Sequence, residues 1–302
     1  MRRSTSETGH AFVLVVVLTL CASCGNGTRI ARPALSPTVS TTPTPIPTES
    51  CAERVLSRLS LKQRVGQLFL LGLKDDRFGP DEAAATVRYH FGSVWFTETT
   101  TAGAGAVRSV ADQAQAQTTA RATGRIRFFV AANQEGGVIQ ALRGPGFSTI
   151  PSAVDQGRLD PATLRREAKA WGRELASAGV NMNLAPVMDV VPPGMDSQNQ
   201  PIGVLKREYG HDPATVSREG AAFLRGMAAA GVATSAKHFP GLGRVAGNTD
   251  DTSDVMDDVT MAEDPYVAPF ERAVRPACHS SWWLLPRTGG SIRAAWRHSH
   301  PW

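Results

Sequence analysis

Lys237 and His238 stand side by side at the head of a loop, Phe239-Pro240-Gly241-Leu242-Gly243, punctuated by proline and glycine. Before them runs Gly231-Val232-Ala233-Thr234-Ser235-Ala236, an apolar stretch that reads as a buried strand. A cation and an imidazole at the C-terminal end of a strand are how an α/β barrel presents polar groups to a substrate. Further along, Asn248-Thr249-Asp250 forms a second polar cluster, able to fold back over whatever Lys237 and His238 hold. Taken singly, these residues have a plainer reading as a salt-bridged lysine and a capped histidine on a surface loop.

The whole string is more specific. KHFPGLG resembles the KHFPGHG signature of glycoside hydrolase family three, in its β-N-acetylglucosaminidase branch, and three other segments stand in the order that resemblance implies. Asn133-Gln134-Glu135-Gly136-Gly137-Val138-Ile139-Gln140 is similar to the family's D-Q-E-G-G-R-V-Q loop, whose leading Asp contacts sugar hydroxyls. Here Asn133 holds that slot, keeping the hydrogen bonds without the charge. Gly136 and Gly137 suit positive φ and close backbone approach, and Glu135 reads as a structural carboxylate that orients its neighbours. Leu184-Ala185-Pro186-Val187-Met188-Asp189 resembles A-P-V-x-D, which implies that Asp189 lies at the barrel mouth, near the sugar or its binding arginine. Pro201 to Gly210 resembles I-G-x-R-x-F-G with a two-residue insertion. Arg207 matches the sugar-contacting arginine, with Lys206 as the alternative if the register slips. Lys237 and His238 match the pair that grips sugar hydroxyls. A Lys and an Arg converging on a polyol would fix its orientation through charge-assisted hydrogen bonds.

Cleaving a glycoside with retention needs two further groups, a proton donor and a nucleophile. In the branch resembled, the donor is a His held by an Asp within D-S-H, and those slots fall on Asn248, Thr249 and Asp250. The dyad is absent, and Asp250 occupies the donor's place. A carboxylic acid whose pKa is raised by burial can act as general acid, and a neighbour such as Asp251 would help. The other reading is a solvated acidic loop, because Asp250, Asp251, Asp254, Asp257 and Asp258 crowd together. The nucleophile implied by the family is an Asp in a motif like S-D-D-L after the seventh strand. No such motif follows, and residues 273–302 contain no Asp or Glu. The chain as written is therefore expected to be inactive.

Composition narrows the field. The formal charge is +5, of which residues 1–23 supply +1 and residues 273–302 supply +4, so the middle of the chain is neutral. A neutral body offers no footprint for nucleic acid. Arg2 and Arg3 followed by the apolar run Ala11–Leu20 read as an export signal too short to span a membrane. Cys21-Ala22-Ser23-Cys24 resembles a lipoprotein cleavage box with Cys24 acylated; an ordinary secretory signal is the alternative. Residues 24–50 are rich in Pro, Thr and Ser and read as an extended tether. Cys51 and Cys278 could pair in an oxidising compartment, although Cys278 lies in an anomalous tail. No Cys/His spacing resembles a metal site, and no cofactor is expected.

Helices are expected at about 52–61, 81–89, 102–122, 161–178, 213–230 and 263–274. Strands are expected at 68–73, 92–96, 126–132, 180–186 and 231–236. Strands alternating with helices make a parallel sheet, and polar loops after every strand favour a (β/α)8 TIM-barrel type over an open doubly wound sheet. Only about five of the eight strands are recognisable. Residues 275–302 carry four of the six Trp and no acid, which reads as a lost coding frame or an unusual tail. The expected layout is thus a signal at 1–23, a tether at 24–50, a partial barrel domain at 51–274 and an aberrant tail. The implied protein is an exported, membrane-anchored monomer. It would remove terminal β-N-acetylglucosamine from cell-wall-type glycans. An inactive relative, or a sugar-binding lipoprotein, is the alternative.

Overall fold

The computed structural model describes residues 50–274. The export signal, nearly all of the tether, Cys24, Cys278 and the tail lie outside those residues. Ser50 opens the described chain as the N-cap of α1 (Cys51–Arg58), with Glu53 closing a capping box, and α2 (Leu61–Gly66) repeats the device with Ser60 and Gln63. The remaining elements are β1 (Leu70–Leu73), α3 (Pro80–Tyr89), β2 (Ser93–Phe96), α4 (Ala104–Gln115), α5 (Ala120–Thr123) and β3 (Phe129–Ala132). Then come β4 (Gln134–Gly136), β5 (Ile139–Gln140), α6 (Ala153–Gln156), α7 (Pro161–Ser177), β6 (Met182–Asn183), α8 (Pro213–Ala228), β7 (Ala233–Thr234) and α9 (Ala268–Ala273). β1, β2, β3, β6 and β7 form one parallel sheet in that order, while β4 and β5 make a small antiparallel hairpin.

The alternating pattern of the sequence is realised, with the elements shortened. The 102–122 helix is broken, because Thr119 caps a new turn by accepting from the Ala122 N–H. The last helix begins as a 3-10 turn at Pro265–Val267, capped by Asp264. Strand pairing at β6 and β7 covers two residues each, and an isolated bridge from Val187 to Lys237 prolongs it.

The core lies between sheet and helices. Leu164, Ala168, Trp171 and Leu175 of α7 are buried at the helical spacing read from the sequence, and Val216, Phe223 and Met227 of α8 meet them. Each large side chain buried there contributes roughly 1.5–3 kcal/mol.

One expectation fails. Residues 68–73 were expected to form a buried strand, yet Leu68, Phe69 and Leu70 are exposed and only Leu73 is fully covered. β1 pairs with β2 alone, so no strand pairs with its outer edge among the described residues. An uncovered apolar edge is a template for pairing with another chain. Residues 51–302 expressed alone should therefore self-associate, and Phe69→Lys should reduce it. A wild-type monomer with one cooperative melt by light scattering and calorimetry would contradict this.

Candidate functional site

The loops after β3, β6 and β7 meet at the C-terminal edge of the sheet. Asn133 follows β3 directly, and the hairpin behind it is held by amide side chains. Asn183 of β6 donates to the Gln134 carbonyl (2.9 Å) and accepts from its N–H (3.0 Å), and Gln156 donates to the Glu135 carbonyl at 2.8 Å. Gly136 has φ 116°, and a Cβ there would stand 2.1 Å from the Pro151 carbonyl oxygen, so only glycine lets the loop close.

Glu135 is the centre of this arrangement. It is 5% exposed and takes a two-pronged bond from Arg207, Nε to Oε2 and Nη2 to Oε1, both 2.8 Å. Lys237 Nζ reaches the same Oε1 at 2.6 Å and the Asn133 Oδ1 at 2.7 Å. Burial alone would raise the Glu135 pKa, but Lys237 and Arg207 outweigh it and bring the group to about 2. Burial in turn lowers Lys237 from its ordinary value, with Glu135 opposing. The expected orienting role of Glu135 is met.

His238 is held from behind. Its Nδ1 lies 2.6 Å from Asp189 Oδ2, and its backbone N–H and that of Leu242 donate to Oδ1 at 3.2 and 2.8 Å. Arg207 Nη2 stands 3.2 Å from His238 Nε2 and can only donate, so Nε2 accepts and Nδ1 carries the proton. Asp189, expected near the sugar or its binding arginine, has no exposed surface and holds His238. Burial opposes ionisation of Asp189, but His238 and the N–H donors hold its pKa below the ordinary value.

The register question resolves in favour of Arg207. Lys206 is exposed, whereas Arg207 is 9% exposed and inside the cluster. Asn133, Arg207, Lys237 and His238 thus converge, as expected. Asp250 does not join them as a buried acid. It is exposed, its N–H bonded to Asn248 Oδ1 at 3.1 Å, although its charge is felt at Arg207. The loop folds on itself and leaves Asp250 in solvent. Cys51 is exposed and has no disulfide partner among the described residues.

Asn199 escaped the sequence reading. Fully buried, it donates to the carbonyls of Leu242 and Val245, both at 2.7 Å, and accepts from the N–H groups of Ile202 and Gly203 at 3.2 and 2.8 Å. It ties the Arg207 loop to the His238 loop, and nothing in local sequence distinguishes it from a turn asparagine. Asn199→Ala strands four backbone groups and should cost about 3 kcal/mol. Urea denaturation checks this, and a loss under about 1 kcal/mol would refute it.

A groove between α7 and α8, lined by Arg165, Arg166, Lys169 and Arg225, carries no acid or imidazole. The chemistry lies in the converging loops. Arg207 spends one of its two Nη1 protons on the Pro201 carbonyl (2.8 Å), and Lys237 spends two of its three. One Nη1–H, one Nζ–H and the Asn133 amide group are left without a partner among the described residues.

Known proteins resemble this chain in sequence and fold. Beta-hexosaminidase LpqI of Mycobacterium tuberculosis is 30% identical over 242 residues, covering 78% of this chain and 58% of its own length. The chain therefore spans little more than half of that curated relative. The crystal structure of Beta-N-acetylhexosaminidase from Beutenbergia cavernae superposes with TM-score 0.71 at 49% identity, over 74% of this chain and 65% of that one. A glycoside hydrolase family 3 beta-N-acetylglucosaminidase from Paenibacillus aligns with TM-score 0.60 at 27% identity, over 72% and 40%. Residues 60–280 match the glycosyl hydrolase family 3 N terminal domain, and the chain belongs to that family.

Proposed function

We propose that the converging loops grip the terminal N-acetylglucosamine of a cell-wall-type glycan. In the family's chemistry that sugar is removed by hydrolysis with retention. The observation that carries this reading is the set of spare N–H donors on Asn133, Arg207 and Lys237, fixed around Glu135. Sugar hydroxyls are recognised by such directed, charge-assisted bonds. The order of the sheet, sequential with no reversal, supports reading its five strands as an arc of a (β/α)8 barrel. Export and acylation of Cys24 are part of the same proposal and would place the domain at a membrane surface.

For the 302-residue polypeptide we propose sugar binding with negligible turnover. Retention needs a free carboxylate to attack and an acid to protonate. Glu135 is bound to two cations and Asp189 to His238, and Asp250 lies in solvent. Calorimetric titration of the full chain with N-acetylglucosamine should show binding that Lys237→Met weakens at least about tenfold, the loss of one charged hydrogen bond. An aryl N-acetylglucosaminide should release no chromophore. Release that Asp250→Ala abolishes would overturn the second proposal, and binding indifferent to Lys237→Met would overturn the first.

A further inference from the structure

Asp196, Glu208 and His211 lie on the segment between β6 and α8, and the sequence spacing of 12 and 3 residues gives no hint that they meet. We propose that these three side chains bind a divalent transition-metal ion of the zinc class, independently of the sugar reading. One ligand atom from each lies within 4.8 Å of the other two. Tetrahedral zinc bonds of about 2.0–2.2 Å set ligand atoms roughly 3.3–3.6 Å apart, so the widest pair must close by about an ångström or a little more. Asp196 and His211, with side chains 47% and 43% exposed, have the freedom to supply that and leave an entry path.

The second observation concerns what the cluster lacks. Glu208 is 2% exposed, and its buried Oε2 has no hydrogen-bond partner; nor has the buried Asp196 Oδ1. An orphaned buried carboxylate oxygen is costly unless a proton or a cation answers it. A cation held among the three side chains would satisfy both carboxylates at once. Burial, and with it the nearby Asp196, pushes the Glu208 pKa up to about 7. His211 Nδ1 lies 3.2 Å from the Val191 carbonyl and 3.5 Å from Asp196 Oδ1. The ion takes the imidazole in its neutral form, one nitrogen as ligand and the other carrying the proton.

One imidazole and two carboxylates suit zinc or manganese, whereas calcium and magnesium take oxygen donors. The frame is set in advance. Asn199 staples the segment, and Gly203 packs so tightly on Asp196 that a Cβ there would meet its Cα and carbonyl oxygen at 2.7 Å. Glu208 directly follows Arg207, so the ion would steady the loop that carries the cradle's guanidinium.

The test uses the full chain, stripped with chelator and dialysed against zinc chloride or calcium chloride. Histidines and cysteines elsewhere can also take zinc, so the readout is the difference between wild type and variants. Wild type should bind one zinc equivalent more than Glu208→Gln or Asp196→Asn, and zinc should raise its Tm but not theirs. Calcium should change none of them. Glu208→Gln should fold, since burial already favours the neutral acid, and Asp196→Asn at a half-exposed position is the safeguard if it does not. Equal zinc stoichiometry in wild type and variants would overturn the site, leaving Glu208 simply protonated. An equal melting response to calcium would overturn the metal class.

Discussion

Glu135→Ala should lower folding stability by about 3–5 kcal/mol, the range for deleting one partner of a buried ion pair. What it leaves behind sets the size. Arg207 and Lys237 both rest on Glu135, and no other carboxylate makes a salt bridge to either among the described residues. Glu135→Gln keeps the shape but should lose nearly as much, because an amide cannot offset two cations. Urea denaturation reads the difference, and a change under about 1 kcal/mol would show that the triad contributes little. The pH dependence has a defined sign. The folded carboxyl sits at about 2, below its ordinary 4.5, so its stabilisation is complete above about 4.5 and is lost as pH falls toward 2. That acid limb should be missing from Glu135→Gln.

Asp189→Asn should cost about 2–4 kcal/mol and weaken N-acetylglucosamine binding at least about tenfold, as expected where donors lose a charged acceptor. Oδ1 accepts two backbone N–H groups and Oδ2 faces the His238 Nδ1 proton. An asparagine brings one acceptor and one donor, so either flip sets N–H against N–H. The imidazole then loses its fixed angle, and Arg207 loses one of the two acceptors of Nη2. Denaturation and sugar titration should move together. Wild-type affinity in this variant would show that His238 is held by other contacts.

The cradle was legible because its residues sit in strings whose local order is informative. Lys237-His238 follows an apolar strand, and Asn133 to Gly137 pairs polar groups with glycines whose φ values the structure shows to be positive at Gly136 and Gly137. Helix α7 was legible from its apolar spacing. What stayed hidden depends on contacts between distant segments. Asn199 acts on carbonyls 43 and 46 residues away, and a buried asparagine looks in sequence like any turn residue. Asp189 was placed near the sugar or its binding arginine, but its bond to His238 was not anticipated. Leu68 to Leu70 misled because an apolar run does not reveal whether a strand has one neighbour or two.

Arg207 and Lys237 are positive, Glu135 and Asp189 negative, and His238 in its Nδ1–H form adds nothing, so the formal charges of the cradle cancel. A visitor therefore meets aimed N–H groups without a net field pulling it in. Ionic strength, which screens fields far more than short contacts, is a weak lever on occupancy. An anionic glycan gains nothing at this spot over an uncharged one.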